Sequence, residues 1–144
     1  MISLIINTEP KPLKRARTAV RNNFVSTYYN KSDKEEMEEL RYKIIKAVKE
    51  LPKYQQDLIN ENKGKPISLH LAFYMSLPKS YSNKKKQALV NKGHTNLPDL
   101  DNLIKNVLDR GDGILWNNDK TIYSIRAEKI WSIEPAIVIS ISYE

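Results

Sequence analysis

Residues 66–77, PISLHLAFYMSL, alternate without a break. Ile67, Leu69, Leu71, Phe73, Met75 and Leu77 fall on one side, and Ser68, His70, Ala72, Tyr74 and Ser76 on the other. A period of two sends successive side chains to opposite faces, so the segment predicts a strand with one face against a core. Pro78 stops it. Any fold for this chain must therefore supply a sheet and something apolar to cover one side of it.

The remaining segments supply both. ISLII at 2–6 reads as a short strand, as do residues 121–131 and 135–143, joined at a tight connection around Glu134-Pro135. Ile137, Ile139, Ile141 and Tyr143 share one face of the last strand. Met37, Leu40, Ile44, Ala47, Val48 and Leu51 recur at helical spacing, with Ser32 or Asp33 as the expected cap, Glu35 and Glu36 in the first turn, and Pro52 beyond the end. Residues 53–65 are polar, end in Lys-Gly-Lys-Pro and read as a connection. Ser82 caps a short basic helix, SNKKKQALV, with Gly93 past its end. PDLDNLIKNVLD at 98–109 predicts a helix of about three turns, broken by Gly111 and Gly113. Residues 8–30 read as a basic arm or hairpin. The order is strand, arm, helix, strand, helix, helix, strand, strand. It predicts an α+β fold, a mixed or antiparallel sheet packed with helices, in one domain spanning 1–144.

Composition narrows the function classes. With no Cys in 144 residues there is no disulfide framework and no thiolate metal site. No apolar run approaches the roughly 20 residues that span a bilayer. MISLIINTEP lacks the basic start of a signal peptide. A soluble, cytoplasmic protein is expected. The net charge of +7 favours a polyanionic partner. Its distribution says more. From Pro10 to Lys31 the charged residues are Lys11, Lys14, Arg15, Arg17, Arg21 and Lys31, without an acid. From Lys79 to Lys92 they are again all lysines, Lys84, Lys85 and Lys86 among them. Between Asn96 and Lys120 the balance reverses, with Asp99, Asp101, Asp109, Asp112 and Asp119 against Lys105, Arg110 and Lys120. An acidic island in a basic chain repels DNA unless a cation sits in it.

Asp99 and Asp101 stand at the mouth of the 98–109 helix. One Asp suffices to cap a helix, and a second carboxylate two residues away repels the first unless something neutralises both. The competing readings are capping and Mg²⁺ binding, since Mg²⁺ takes one or two carboxylates and completes its shell with water and phosphate. Asp119, in WNNDKTI, is either a turn residue or a third carboxylate folded back beside the pair. Lys105 follows Asp101 at i+4. It is either a helical ion pair worth about 0.2–0.5 kcal/mol or a cation for the scissile phosphate. Asn102 could orient a ligand carboxylate. His70 and His94 lack metal-ligand spacing and read as structural or surface residues. No Gly-rich phosphate loop or nucleophile elbow is present. Trp116 and Trp131 read as core or interface.

Taken together, KPLKRAR (11–17), FYMSLPKS (73–80), PDLDNLIK (98–105), VLDRGDGILWNND (107–119) and AEKIW (127–131) stand in an order and spacing that resembles the RusA family of Holliday-junction resolvases over nearly the whole chain. The resemblance implies an endodeoxyribonuclease that hydrolyses phosphodiesters with Mg²⁺, or Mn²⁺ in its place. It implies a homodimer acting on four-way DNA junctions in recombination and repair. It carries the catalytic, metal-binding carboxylates onto Asp99, Asp101 and Asp119, and the essential lysine onto Lys105. Leu97 departs from a position that is often Lys. Asn118 departs from the first Asp of an Asp-Asp pair: if that Asp helps bind metal, affinity is weaker here, and if it only neighbours the ligands, Asn118 can serve beside Asn102 as a hydrogen-bonding group.

On this reading Lys11, Lys14, Arg15, Arg17, Lys84, Lys85 and Lys86 track the DNA backbone outside the acidic pocket. A symmetric dimer presents two sites to two opposed strands, and its candidate interfaces are the Trp131 strand and the 66–77 strand. The alternatives are a branched-DNA-binding protein weakened in catalysis, a nuclease for flaps or forks, and a plain basic interaction module whose carboxylates merely cap.

Overall fold

A computed structural model describes residues 1–14 and 16–144; Arg15, one of the expected DNA contacts, lies outside the described residues. The elements are β1 (Ile2–Ile6), β2 (Arg17–Arg21), β3 (Phe24–Tyr28), α1 (Lys31–Lys49), α2 (Lys53–Asn62), β4 (Ile67–Ser76), α3 (Asn83–Leu89), α4 (Leu100–Gly111), β5 (Ile122–Ser132) and β6 (Ala136–Tyr143). This is the α+β class expected, with a mixed sheet.

The alternating segment is β4, and it lies inside a four-stranded sheet of order β1-β6-β4-β5. β6 pairs antiparallel with β1 and β4, whereas β5 pairs parallel with β4. The tight connection thus joins β5 to β6, yet β4 lies between them. Ile67, Leu69, Leu71, Phe73 and Met75 are buried, and Ile2, Leu4 and Ile6 of β1 and Ile137, Ile139 and Ile141 of β6 extend the same face. Leu40 and Ile44 of α1, Ile59 of α2, Leu103 and Val107 of α4, and the Leu115-Trp116 turn join them in one core. Each fully buried Leu or Ile contributes about 1.5–3 kcal/mol relative to exposure. A one-residue slip of β4 would turn its whole set outward, which fixes the register.

Two expectations are corrected. The cap of α1 is Asn30, whose side chain accepts from the Asp33 amide at 2.8 Å, so the first-turn acid is Asp33. Asn caps as well as Ser or Asp, and the chain uses the earlier one. Residues 53–62 form a helix rather than a connection. Only Ile59 and Asn62 of α2 are buried, too few positions to print a helical period, and Gln56 Nε2 ties the helix to the end of α1 through the carbonyls of Lys49 and Leu51. Of the two strands expected as interfaces, β5 lies at the sheet edge with Tyr123 and Ile125 exposed. β4 is internal to the sheet, and Trp131 is buried against His94 and Tyr81, with ring centroids 4.2 and 6.2 Å away.

The basic arm ends in a separate two-stranded ribbon, β2 antiparallel to β3. Asn22 and Asn23 turn it with φ of 49° and 65°, the pair of left-handed residues that matches the twist of a two-residue hairpin. Among the described residues, no helix is long and apolar enough to cross a membrane.

Candidate active site

The loop before α4 is pinned along the outer edge of β5. The Asn91 amide donates to Trp131 O at 2.9 Å, the Trp131 amide to Lys92 O at 2.9 Å, and the His94 amide to Lys129 O at 3.0 Å. His94 is buried; its burial first, and the Lys129 charge second, hold its pKa below the ordinary value. It is thus a neutral packing group under Trp131, the structural role expected. His70, on the other face of the sheet, pairs with Glu128 at 3.1 Å. Lys129, beside Phe73 in the register, reaches back to the loop. Its Nζ donates to Asn96 O at 2.8 Å and Pro98 O at 2.7 Å, clamping the chain one residue before Asp99. A lysine within a strand sends no signal from sequence, so this positioning residue was invisible there.

Asp99 is the N-cap residue of α4, but its side chain makes no capping hydrogen bond. Among the described residues, Asp101 Oδ1 accepts only from the neighbouring Asn102 amide, at 3.0 Å. Capping therefore does not account for Asp99. Both carboxylates are exposed, and so is Lys105. None of the ion pairs among the described residues includes Asp99, Asp101 or Lys105, so the i,i+4 pair considered from sequence is not formed. The arm lies along the same turns: the Leu13 amide donates to Asn102 O at 3.2 Å, and the buried Asn106 donates from Nδ2 to Lys11 O at 3.0 Å. Lys11 and Lys14 are thereby brought beside the helix mouth, with Lys11 partly engaged by Glu36 at 3.3 Å. The α3 patch connects to the same loop, since Lys85 Nζ sits 3.8 Å over the Tyr81 ring, which packs toward Trp131. Arg17 is exposed on the ribbon.

Asp119 is elsewhere. α4 ends against Trp116, which is fully buried and donates from Nε1 to Leu108 O at 3.2 Å. Arg41 donates to Arg110 O and Asp112 O at 3.1 and 2.8 Å, and Lys63 to Gly113 O at 2.9 Å. A Cβ on Gly111 would lie 2.6 Å from Trp116 Cζ2, so this close approach requires glycine. Asn118 accepts from the Lys120 amide at 3.0 Å and caps the single 3₁₀ turn Asp119–Thr121 that leads into β5. Asp112 has its pKa raised, by burial first and then by the charges of Asp119 and Asp109. Asp119 thus belongs with Asp112 at the far end of α4, and the rise from Asp101 to Asp112 is about 16 Å.

Within one chain, then, Asp119 stands apart from Asp99 and Asp101. The reason is topological. β4 and β5 are parallel, so the chain between them must return to the starting edge of the sheet, and α4 makes that return. Whatever precedes β5 sits a helix length from whatever begins α4. Among the described residues, no group of three or more His, Cys, Asp or Glu side chains is gathered as for a metal ion. What one chain does offer a cation is the Asp99–Asp101 pair. These are hard oxygen donors, exposed and largely uncommitted, and two carboxylates with water and phosphate suit Mg²⁺.

The family model described as endodeoxyribonuclease RusA matches residues 7–142 of this chain. The uncharacterized protein YqaN of Bacillus subtilis (strain 168) is 34% identical over 80 residues, a segment covering 53% of this chain and 56% of that relative. The match spans about half the length of that curated relative.

Proposed function

The chain belongs to the RusA endodeoxyribonuclease family, and from that premise we propose that it is a divalent-metal-dependent, structure-selective endodeoxyribonuclease. It resolves four-way DNA junctions by paired nicks in opposed strands, in recombination and repair, with residues 1–144 acting as one nuclease domain. The observation that carries this reading is the exposed Asp99–Asp101 pair, free of a capping bond at Asp99, held by the Lys129 clamp and flanked by the basic arm.

Asp99 and Asp101 would hold Mg²⁺, or Mn²⁺ in its place. The bound ion would supply a lowered water pKa and a counter-charge for phosphoryl oxygens. Lys105, exposed one turn along from Asp101, offsets charge that grows on the phosphate during attack. Asn102 holds the arm through its carbonyl and can orient the Asp101 carboxylate through its amide. Lys11, Lys14, Arg15, Arg17 and the Lys84–Lys86 patch draw the phosphate backbone toward the mouth.

Asp119 enters through a second copy. The two acidic ends of α4 cannot meet within one chain, but a twofold partner with its α4 running the opposite way brings its Asp119 end to this chain's Asp99 end. Asn118, as the cap of the Asp119 turn, fixes the direction in which that carboxylate is offered. A C2 dimer then carries two equivalent sites, as two symmetric nicks require.

The test is nicking of a synthetic four-way junction with Mg²⁺. Wild-type protein should cleave and Asp101→Asn should not; equal cleavage by both overturns the assignment. Mixing Asp101→Asn with Asp119→Asn subunits checks the shared site. If each site draws on both copies, half of the mixed dimer's sites are intact and nicking returns. If each site lies in one chain, mixing restores nothing. The second reading, a branched-DNA binder weakened in catalysis, is favoured by the separation of the three carboxylates among the described residues of one chain, and it predicts no metal-dependent cleavage by any mixture. Relative rates on flap, fork and four-way substrates separate a junction resolvase from a flap or fork nuclease.

A further inference from the structure

The β2–β3 ribbon stands apart from the core. None of its residues is buried, and Phe24, Val20 and Tyr28 are 78%, 72% and 47% exposed. A two-stranded ribbon alone in water is marginally stable, and this much apolar surface on one projecting element marks a place that meets a partner.

The register shows what kind. Arg17 stands opposite Tyr28, Arg21 opposite Phe24, and the small pair Ala19 and Ser26 lies between them. Side chains alternate across a strand, so both Arg–aromatic pairs lie on one face, while Thr18, Val20, Val25 and Thr27 lie on the other. The Asn22-Asn23 turn puts Phe24 at the leading end. A flat apolar ring beside a guanidinium suits a base beside its phosphate, since every base has a π-face and every linkage a negative charge. In an intact duplex those faces are covered by neighbouring bases. They are open where strands diverge. A second copy of the chain is the poorer occupant, because it would bring another acid-free basic ribbon against this one.

We propose that this face reads the branch point. Phe24 and Tyr28 stack on bases left without a neighbour where DNA strands part, and Arg21 and Arg17 hold the adjoining phosphates. The proposal rests on the nuclease reading only for branched DNA as the target, and neither metal nor cleavage enters it.

The experiment measures binding of a four-way junction and of a matched duplex by fluorescence anisotropy in EDTA. Wild-type protein should prefer the junction. Phe24→Ala should weaken junction binding about tenfold, the scale of one lost stacking partner, and leave duplex affinity within about twofold because no base face is open there. Phe24→Trp should keep the preference and Phe24→Leu should lose it, which separates stacking from bulk. Arg21→Gln should weaken both substrates and lower the salt slope by about one. A Phe24→Ala protein with an unchanged junction-to-duplex ratio overturns the proposal. So does one that turns from dimer to monomer by light scattering, which assigns the ribbon to a second copy. If the ratio shifts as stated while Asp101→Asn cleaves like wild type, the nuclease reading falls and the ribbon reading stands.

Discussion

The two ends of α4 carry the same residue type to opposite purposes. At the N-terminal end, Asp99 and Asp101 are exposed, Asp99 makes no capping bond, and Lys129 and the arm hold the surrounding backbone. At the C-terminal end, Asp112 is partly buried, its pKa is raised, and Trp116, Arg41 and Lys63 lock the turn that follows. The first end keeps its carboxylates exposed, with only Asp101 Oδ1 engaged by the neighbouring Asn102 amide among the described residues, where a ligand can claim them. The second builds its carboxylate into the packing. Exposure together with rigid support separates the two ends better than acidity does.

Substitutions can break this contrast, and the largest effect is expected at the mouth. Asp101→Asn should abolish junction cleavage while leaving thermal stability unchanged, and should spare or tighten junction binding in EDTA, since it removes negative charge near phosphate. A large loss of affinity in a folded variant would contradict the electrostatic argument. Lys105→Met should come next, with cleavage reduced on the order of 10²-fold if it stabilises charge on the phosphate and an unchanged urea midpoint, because none of the ion pairs among the described residues includes it.

At the far end the order of effects reverses. Gly111→Ala should cost about 1–3 kcal/mol by overpacking, because its Cβ would press on a buried indole at 2.6 Å rather than on a movable chain end. Urea unfolding reads this, and an unchanged midpoint would show that the turn yields. Lys129→Met falls between the two behaviours. It strips two carbonyls of a charged donor, worth about 1.5–3 kcal/mol each at most, and should lower cleavage as well by loosening the chain before Asp99. Lys129→Arg should restore more stability than activity, because a wider donor group cannot place the loop identically.

The smallest effect concerns pH. Asp112 has a folded pKa above its ordinary value of 3.8, so between the two values the folded state binds more protons than the unfolded one. Stability from this group is full below 3.8 and is lost as pH rises through the window to the raised value. Asp112→Asn removes that loss. The variant should gain on wild type in urea midpoint at neutral pH and show no gain in acid. Equal gains in both would assign the effect to packing.

Much of this was legible from residues. The strict alternation at 66–77 gave β4 and its buried face, Ser82 gave the start of α3, and PDLDNLIKNVLD gave α4 with its exposed pair. What stayed hidden was pairing and long-range bonding. α2 has one buried aliphatic residue and therefore no period to read. Strand patterns do not say whether β5 runs with β4 or against it, and that single choice decides where Asp119 falls. Had the segment from β4 to β5 been read as a right-sized parallel crossover, the separation of the two acidic ends would have followed from helix rise alone. Lys129 and Asn106 act through backbone atoms more than thirty residues away in sequence, which local composition does not encode.

A helix with acidic groups at both ends is a ruler. The 12 residues of α4 set a length of about 18 Å, and in the dimer proposed above that length would dictate how far two protomers slide past each other before their carboxylates align. Deleting one residue would swing the far end by about 100°, and inserting four would bring the phase back to within about 40° but overshoot by about 6 Å. Side chains along the outside of this rod can drift singly over evolutionary time. On the proposed arrangement its span would change only in concert with the geometry of the pair.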